Sequence, residues 1–166
     1  MNLHQERICF ILFCNMVASL ALFGCKSSPL TVTEVISGNT IVLSNGTKVQ
    51  YAGLELQRKD HPSFTACRQA NAYLVLNKTV HLVEEPLLSF EDVVVAYVYT
   101  PLIIKEETKY LFVNGELVRF GYAKVMPVED KCQKQELWQS LLNFQEQEAK
   151  PQKLNLWSEE SIEKRE

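Results

Sequence analysis

"VISGNTIVLSNGTKVQYAGLEL", Val35 to Leu56, is the stretch that decides the fold. Short β-branched runs alternate with polar punctuation: Ser37-Gly38-Asn39 breaks the first run and Ser44-Asn45-Gly46 the second. Asn and Gly accept the left-handed backbone of tight turns, and Val, Ile and Thr favour a pleated, half-buried strand. The stretch therefore reads as an antiparallel meander, with strands over Thr31–Ile36, Asn39–Leu43 and Thr47–Leu54. A turn of this kind at the end of a small barrel is also where carboxylates could gather, and this one carries none.

Outward from the meander, Phe64, Cys67, Ala70, Leu74 and Val75 fall at helical spacing and predict a helix over Ser63–Asn77, entered at Pro62-Ser63. "TVHLVEE" and "DVVVAYVY" predict strands over Thr79–Glu85 and Asp92–Tyr99. "TPLIIKEETK" reads as a loop or an extended hairpin arm, and "NGELVRFGYA" as a short helix. Leu137, Trp138, Leu141, Leu142 and Gln145 mark one face of a longer helix over Lys131–Lys150, stopped at Pro151. Trp157 is expected to return as an apolar anchor, and "SEESIEKRE" to be loose. Five strands with a helix between the third and fourth describe a five-stranded OB-fold Greek-key barrel, a β-rich α+β class with about three helices.

A chain of 166 residues, 46% apolar, fits one globular domain. Its net charge is −3, and removal of residues 1–25 leaves 16 basic and 19 acidic side chains, again −3. Nucleic-acid binding draws on clustered Lys and Arg, so this balance argues against it. At the N-terminus, Ile8–Phe23 is a sixteen-residue apolar segment, short for a membrane span of about 20 residues and of the right length for a secretory signal core. "LFGC", Leu22 to Cys25, then resembles a bacterial lipoprotein signal, departing from it at Phe23. That resemblance implies that residues 1–24 are removed and that Cys25 carries lipid. It places the protein in the cell envelope, periplasmic or at the outer surface. A plain signal peptide or an uncleaved anchor are the other readings. Several acyl chains on one cysteine anchor stably. The tether from Lys26 to Leu30 reaches about 16 Å at most, holding the domain close to its membrane.

With Cys9 and Cys14 in the signal and Cys25 acylated, Cys67 and Cys132 remain, as a disulfide or as two buried thiols. No C-x-x-C is present and the three histidines lie far apart, which argues against a zinc or histidine metal site.

The order of pieces resembles the staphylococcal (thermonuclease-like) nuclease domain over residues 31–157. "VISGNTIVLSNGTKVQYAGLEL" stands where the family has its first three strands and a D-G-D-T turn. "CRQANAYL" resembles its first helix, and "VVVAYVY" the strand beginning G-R-x-L-A-Y-V. "FVNGELVRFGYAKV" resembles the V-N-x-x-L-V-x-x-G-x-A-K segment, and "KLNLW" the closing K-L-G-L-W. Thr100–Phe112 departs from the pattern by its length.

The resemblance implies hydrolysis of DNA and RNA phosphodiesters with one calcium ion. A hard cation takes carboxylate and carbonyl oxygens. A Glu activates water as general base, and two Arg forks stabilise charge on the phosphoryl oxygens. Carried over position by position, the two acids of the D-G-D turn fall on Ser37 and Asn39, and the third-strand Arg on Gln50. The second ligand Asp falls on Glu55, a carboxylate one methylene longer, and the carbonyl ligand on Leu56. The general base falls on Arg58, the second Arg on Val93, and the aromatic substrate contacts near Pro127 and Glu129.

The expectation is therefore a membrane-anchored lipoprotein whose thermonuclease-like domain is catalytically silent and acts as a binding or scaffold module. No cofactor is expected, and the partners are the membrane through Cys25 and a protein or other envelope component. The alternative is a calcium- or metal-dependent nuclease with a rewired site using Glu55, Glu34, Glu91 or Asp92; calcium and Glu55 enter only there. A third reading has Tyr51, Tyr97 and Tyr99 stacking on single-stranded bases, against which stands their alternation in strands, the mark of packing.

Overall fold

The computed structural model describes residues 29–90, 92–127 and 132–158. The signal segment, Cys25, residues 26–28 of the tether, Glu91, Glu129 and the charged tail from residue 159 lie outside the described residues.

The meander forms as expected: β1 (Val32–Ser37), β2 (Thr40–Leu43) and β3 (Lys48–Tyr51) pair antiparallel in sequence. The expected third strand is split. Gly53 adopts φ +72° and turns the chain, and β4 (Leu54–Glu55) leaves the main sheet to pair with β8 (Lys124–Val125). A Cβ on Gly53 would come within 2.9 Å of Leu141 Cδ1, so the kink also lets a helix approach.

Helix α1 (Pro62–Val75) follows, with Pro in its first turn and His61 Nδ1 accepting from the Ser63 N–H. It buries Cys67, Asn71 and Val75 against the barrel. Strand β5 (His81–Glu84) leads through a single 3₁₀ turn (Pro86–Leu88) into β6 (Val93–Ile104). β6 runs parallel to β3 and antiparallel to β5, giving the order β1-β2-β3-β6-β5. The ends of this order meet: Val32 and Val80 N–H donate to the carbonyls of Lys78 and Leu30, and Asn77 N–H donates to Val32. These bonds bring the sheet round toward a barrel, as the OB-fold requires.

β6 is twelve residues long, well past the expected end at Tyr99, because "TPLII" continues it into a hairpin arm with β7 (Glu107–Phe112). Lys105 and Glu106 form the two-residue tip, both with positive φ.

Helix α2 (Val113–Arg119) covers the barrel, and helix α3 (Gln135–Phe144) packs beside it. The last helix starts later than expected and passes into a π-type turn (Gln145–Ala149). There the Gln145 side chain turns inward and its Oε1 accepts from Val125 N–H at 2.8 Å. Val32, Ile41, Val49, Leu54, Val75, Val98, Leu117 and Leu141 are fully enclosed and form the core. Trp157 returns to the fold as expected, buried near Gly121 with Lys124 and Lys150 over its ring.

Tyr51 and Tyr97 are buried, and Tyr99 is stacked on Phe112 at 5.0 Å. These rings are therefore packing elements and present no free platform for bases. Cys67 and Cys132 are free, buried thiols, which corrects the disulfide reading. Each has its own surroundings: Cys67 packs on the Gly38 turn, and Cys132 is hydrogen-bonded to Glu85 and Tyr97.

Candidate functional site

The β1–β2 turn is built from Ser37 to Thr40, whose ends are paired. Gly38 and Asn39 have no positive φ, so left-handed backbone is not the reason for the glycine. The reason is proximity: a Cβ on Gly38 would overlap Cys67 Sγ and lie 2.8 Å from Cys67 Cβ. The turn thus sits directly on α1. Asn71 of the helix donates from Nδ2 to Ser37 O at 3.0 Å and accepts from Tyr51 O–H at 2.8 Å. Burial pushes the Tyr51 hydroxyl well above the usual phenol range.

Within the turn, the Asn39 side chain is fully engaged. Its Oδ1 accepts from the Ser37 hydroxyl at 2.9 Å and the Thr40 hydroxyl at 3.1 Å, and its Nδ2 donates to Leu54 O at 3.4 Å. Asn39 N–H donates to Ser37 Oγ at 3.3 Å, and Asn39 O accepts from Tyr51 N–H at 2.8 Å. The network is neutral and closed on itself. Asp in place of Asn39 would lose the donor to Leu54 O while keeping acceptors for both hydroxyls.

Around it stand the other positions. Gln50 pairs with Thr40 on one side and Val95 on the other, so β2, β3 and β6 converge there. Val93 begins β6 opposite Lys48, two residues before Val95 and on the same face of the strand. A half-buried valine thus occupies the position to which the resemblance assigns an arginine. Leu54 O meets Asn39, and Glu55, the next residue, is exposed and pairs through the backbone with Lys124. Leu56 is half-buried. The fold brings Ser37, Asn39, Gln50 and the Leu54–Leu56 segment to one region of the barrel. The Arg58 guanidinium pairs with Asp60 at 3.1 Å, with the two side chains 87% and 70% exposed. An exposed pair of this kind contributes about 0–1 kcal/mol.

Two of the described acids of the rewired reading, Glu34 and Asp92, lie apart. Glu34 lies on β1 beside Arg68 and Gln69 of α1, whereas Asp92 lines a different cavity of about 400 Å³ with Lys48 and Glu84. Among the described residues, no three His, Cys, Asp or Glu side chains come together as a metal site.

Residues that the sequence reading passed over hold this region in place. Asn114 is fully buried, accepts from Val98 N–H at 2.8 Å and donates to Ala52 O at 3.0 Å, tying β6 to the end of β3. Glu85 is fully buried and accepts from Gln133 N–H at 2.7 Å, Lys134 N–H at 3.0 Å and the Cys132 thiol at 3.1 Å. Helix α3 starts without a cap from its own Lys134 side chain, so Glu85 supplies the acceptor at its entry. Tyr97 Oη lies 3.0 Å from Cys132 Sγ, completing a buried row. Burial pushes both the Tyr97 hydroxyl and the Cys132 thiol upward, and the neighbouring Glu85 adds to this in each case. The Asn was visible within "VNGEL"; nothing in "VEEP" separates Glu85 from the exposed Glu84.

A small curled sheet of OB type, a helix after its third strand and two helices on its flank define the class of thermonuclease-like folds. Comparison with family models agrees: the model described as staphylococcal nuclease homologue matches residues 56–159, and the chain belongs to that family. The match starts at Leu56, so Leu56, Arg58 and Val93 fall inside it, and Ser37, Asn39, Gln50 and Glu55 precede it. No curated protein matches the chain.

Proposed function

We propose that this domain is a member of the nuclease family that has lost phosphodiester hydrolysis. On this reading it serves as a binding module held at a membrane by lipid on Cys25, with a protein or other envelope component as its partner. The observation that carries the reading is the closed network of Ser37, Asn39 and Thr40. Every polar atom of these side chains that would face a cation is engaged with a neutral neighbour.

The remaining substitutions act in the same direction. Losing one donor to a developing oxyanion costs roughly 10²–10³ in rate, and a positioned base contributes roughly 10²–10⁴. Such losses do not add when groups work as a unit. Even the larger of these factors alone would suppress turnover heavily. Here Gln50 and Val93 replace both forks, and the base position holds an arginine turned to Asp60. Glu55 alone is a poor lure for calcium, which takes six to eight oxygens.

Calcium titration followed by thermal unfolding tests the proposal. A site with a dissociation constant near 1 mM, filled at about 10 mM calcium, would stabilise the fold by about 1.4 kcal/mol. The expected result is an unchanged Tm. A calcium-dependent rise that disappears in Glu55→Gln would instead support the metal-dependent nuclease. For the anchor, Cys25→Ser should abolish fatty-acid labelling and membrane retention; persistent labelling would reject it.

A further inference from the structure

The hairpin arm of β6 and β7 is the part of the fold with least internal support. Two strands alone are marginal in water without a third strand or a packed face. Yet Glu107 to Tyr110, the first four residues of the outer strand, are exposed, with Ile103 83% and Tyr110 55% exposed. Near its base the His81 ring meets Tyr110 edge-on at 4.9 Å.

We propose that the free edge of β7 pairs antiparallel with β7 of a second copy of this chain, centred on Thr108. Three observations converge on that register. The tip is a two-residue turn flanked by the pair Ile104–Glu107. In such a hairpin the flanking pair exchanges hydrogen bonds and the pairs alternate from there. The backbone groups of Glu107, Lys109 and Leu111 therefore face β6, while those of Thr108 and Tyr110 face outward. Centring the contact on Thr108 lets that residue exchange two backbone bonds with its own counterpart.

Charge selects the register. Centred on Thr108, Glu107 of each copy stands directly opposite Lys109 of the other, in the closely spaced type of pair. A shift of one residue puts the charged face of one strand against the Thr108 and Tyr110 face of the other. Recentring on Lys109 or on Glu107 sets like charges opposite each other, and recentring on Tyr110 loses both Glu107–Lys109 pairs. The chosen register also keeps Pro101, Ile103, Thr108 and Tyr110 of both copies on one face, with Tyr110 level with the tip residue Glu106 of the other copy. The opposite edge of the ribbon is blunted, because Pro101 has no N–H to donate there. The long strand segment that departs from the family pattern is thus self-complementary along one edge only.

Full-length protein in detergent, sized by light scattering, provides the test. The unsubstituted chain should be a dimer. Glu107→Lys alone and Lys109→Glu alone should each weaken association by about tenfold or more, because two attractive pairs become two repulsive ones. The double swap should restore it, a result that association through the N-terminal segment would not produce. Thr108→Cys should also form a covalent dimer under mild oxidation, above the background of the unsubstituted chain, whereas Lys105→Cys should not. A monomeric unsubstituted chain at about 100 µM, or single swaps that associate as tightly as the parent, would overturn the proposal.

Discussion

Gly38→Ala is the substitution whose cost the structure fixes most closely. The new methyl would overlap Cys67 Sγ and stand 2.8 Å from Cys67 Cβ and 3.2 Å from its carbonyl carbon. The sulfur can rotate away, but the other two atoms belong to the frame of α1. Moving that helix strains Asn71 Nδ2 to Ser37 O, at 3.0 Å, and Arg68 Nε to Val35 O, at 3.1 Å. Overpacking of this kind costs about 1–3 kcal/mol, and each weakened hydrogen bond about 0.5–1.5 kcal/mol. A loss of about 2–4 kcal/mol is expected. Urea unfolding should show it as a midpoint lowered by roughly 1–2 M, given slopes of about 1–3 kcal/mol/M. Because Gly38 has no positive φ, the penalty is steric and is shared with Cys67. A double-mutant cycle with Cys67→Gly, which removes both Sγ and Cβ, should therefore recover about 1 kcal/mol of coupling. A cost under about 0.5 kcal/mol, or strict additivity in the cycle, would refute the close-contact explanation.

Glu85→Ala should destabilise by about 3 kcal/mol or more in the same assay, since it orphans the Gln133 and Lys134 N–H groups and the Cys132 thiol. Glu85→Gln, which keeps one acceptor oxygen, should cost less; equal costs would argue against the capping role. Stability should also fall in alkali. Burial raises the Cys67 thiol from 9.0 to about 12, so its contribution is complete below pH 9 and is lost as pH rises from 9 toward 12. The raised Cys132, Tyr51 and Tyr97 groups act in the same sense. A flat stability profile from pH 8 to about 11 would contradict this. In the folded protein at neutral pH, Cys67 and Cys132 should resist alkylation and react only on unfolding, as peptide mass mapping would show.

Alternation and turn chemistry sufficed to read β1, β2 and α1, because one buried face and a polar turn leave a local signature in Val35, Ile41, Cys67 and Val75. The same patterns gave the later strands and helices in the right order, and the resemblance agreed with them. What escaped was non-local. Gly38 reads as a turn residue, and only the packed helix shows that it is glycine because of Cys67. Glu84 and Glu85 look alike in sequence, yet one is exposed and the other accepts three hydrogen bonds from residues nearly fifty positions away. Parity suggested a bridge between Cys67 and Cys132, but parity says nothing about proximity. In the candidate site, the departures that the resemblance implies at Asn39, Gln50, Arg58 and Val93 were legible one by one. Their surroundings were not: Asn39 closes the turn, and Arg58 pairs with Asp60.

The proposed loss of hydrolysis is tested most directly by cleavage itself. The purified protein is incubated with single-stranded DNA and with RNA in calcium, magnesium or manganese, and the products are resolved by length. The substrates should remain intact with every metal, and Glu55→Gln should behave as the parent does. Metal-dependent cleavage by the parent that Glu55→Gln abolishes would contradict the account and establish a working site built around that carboxylate.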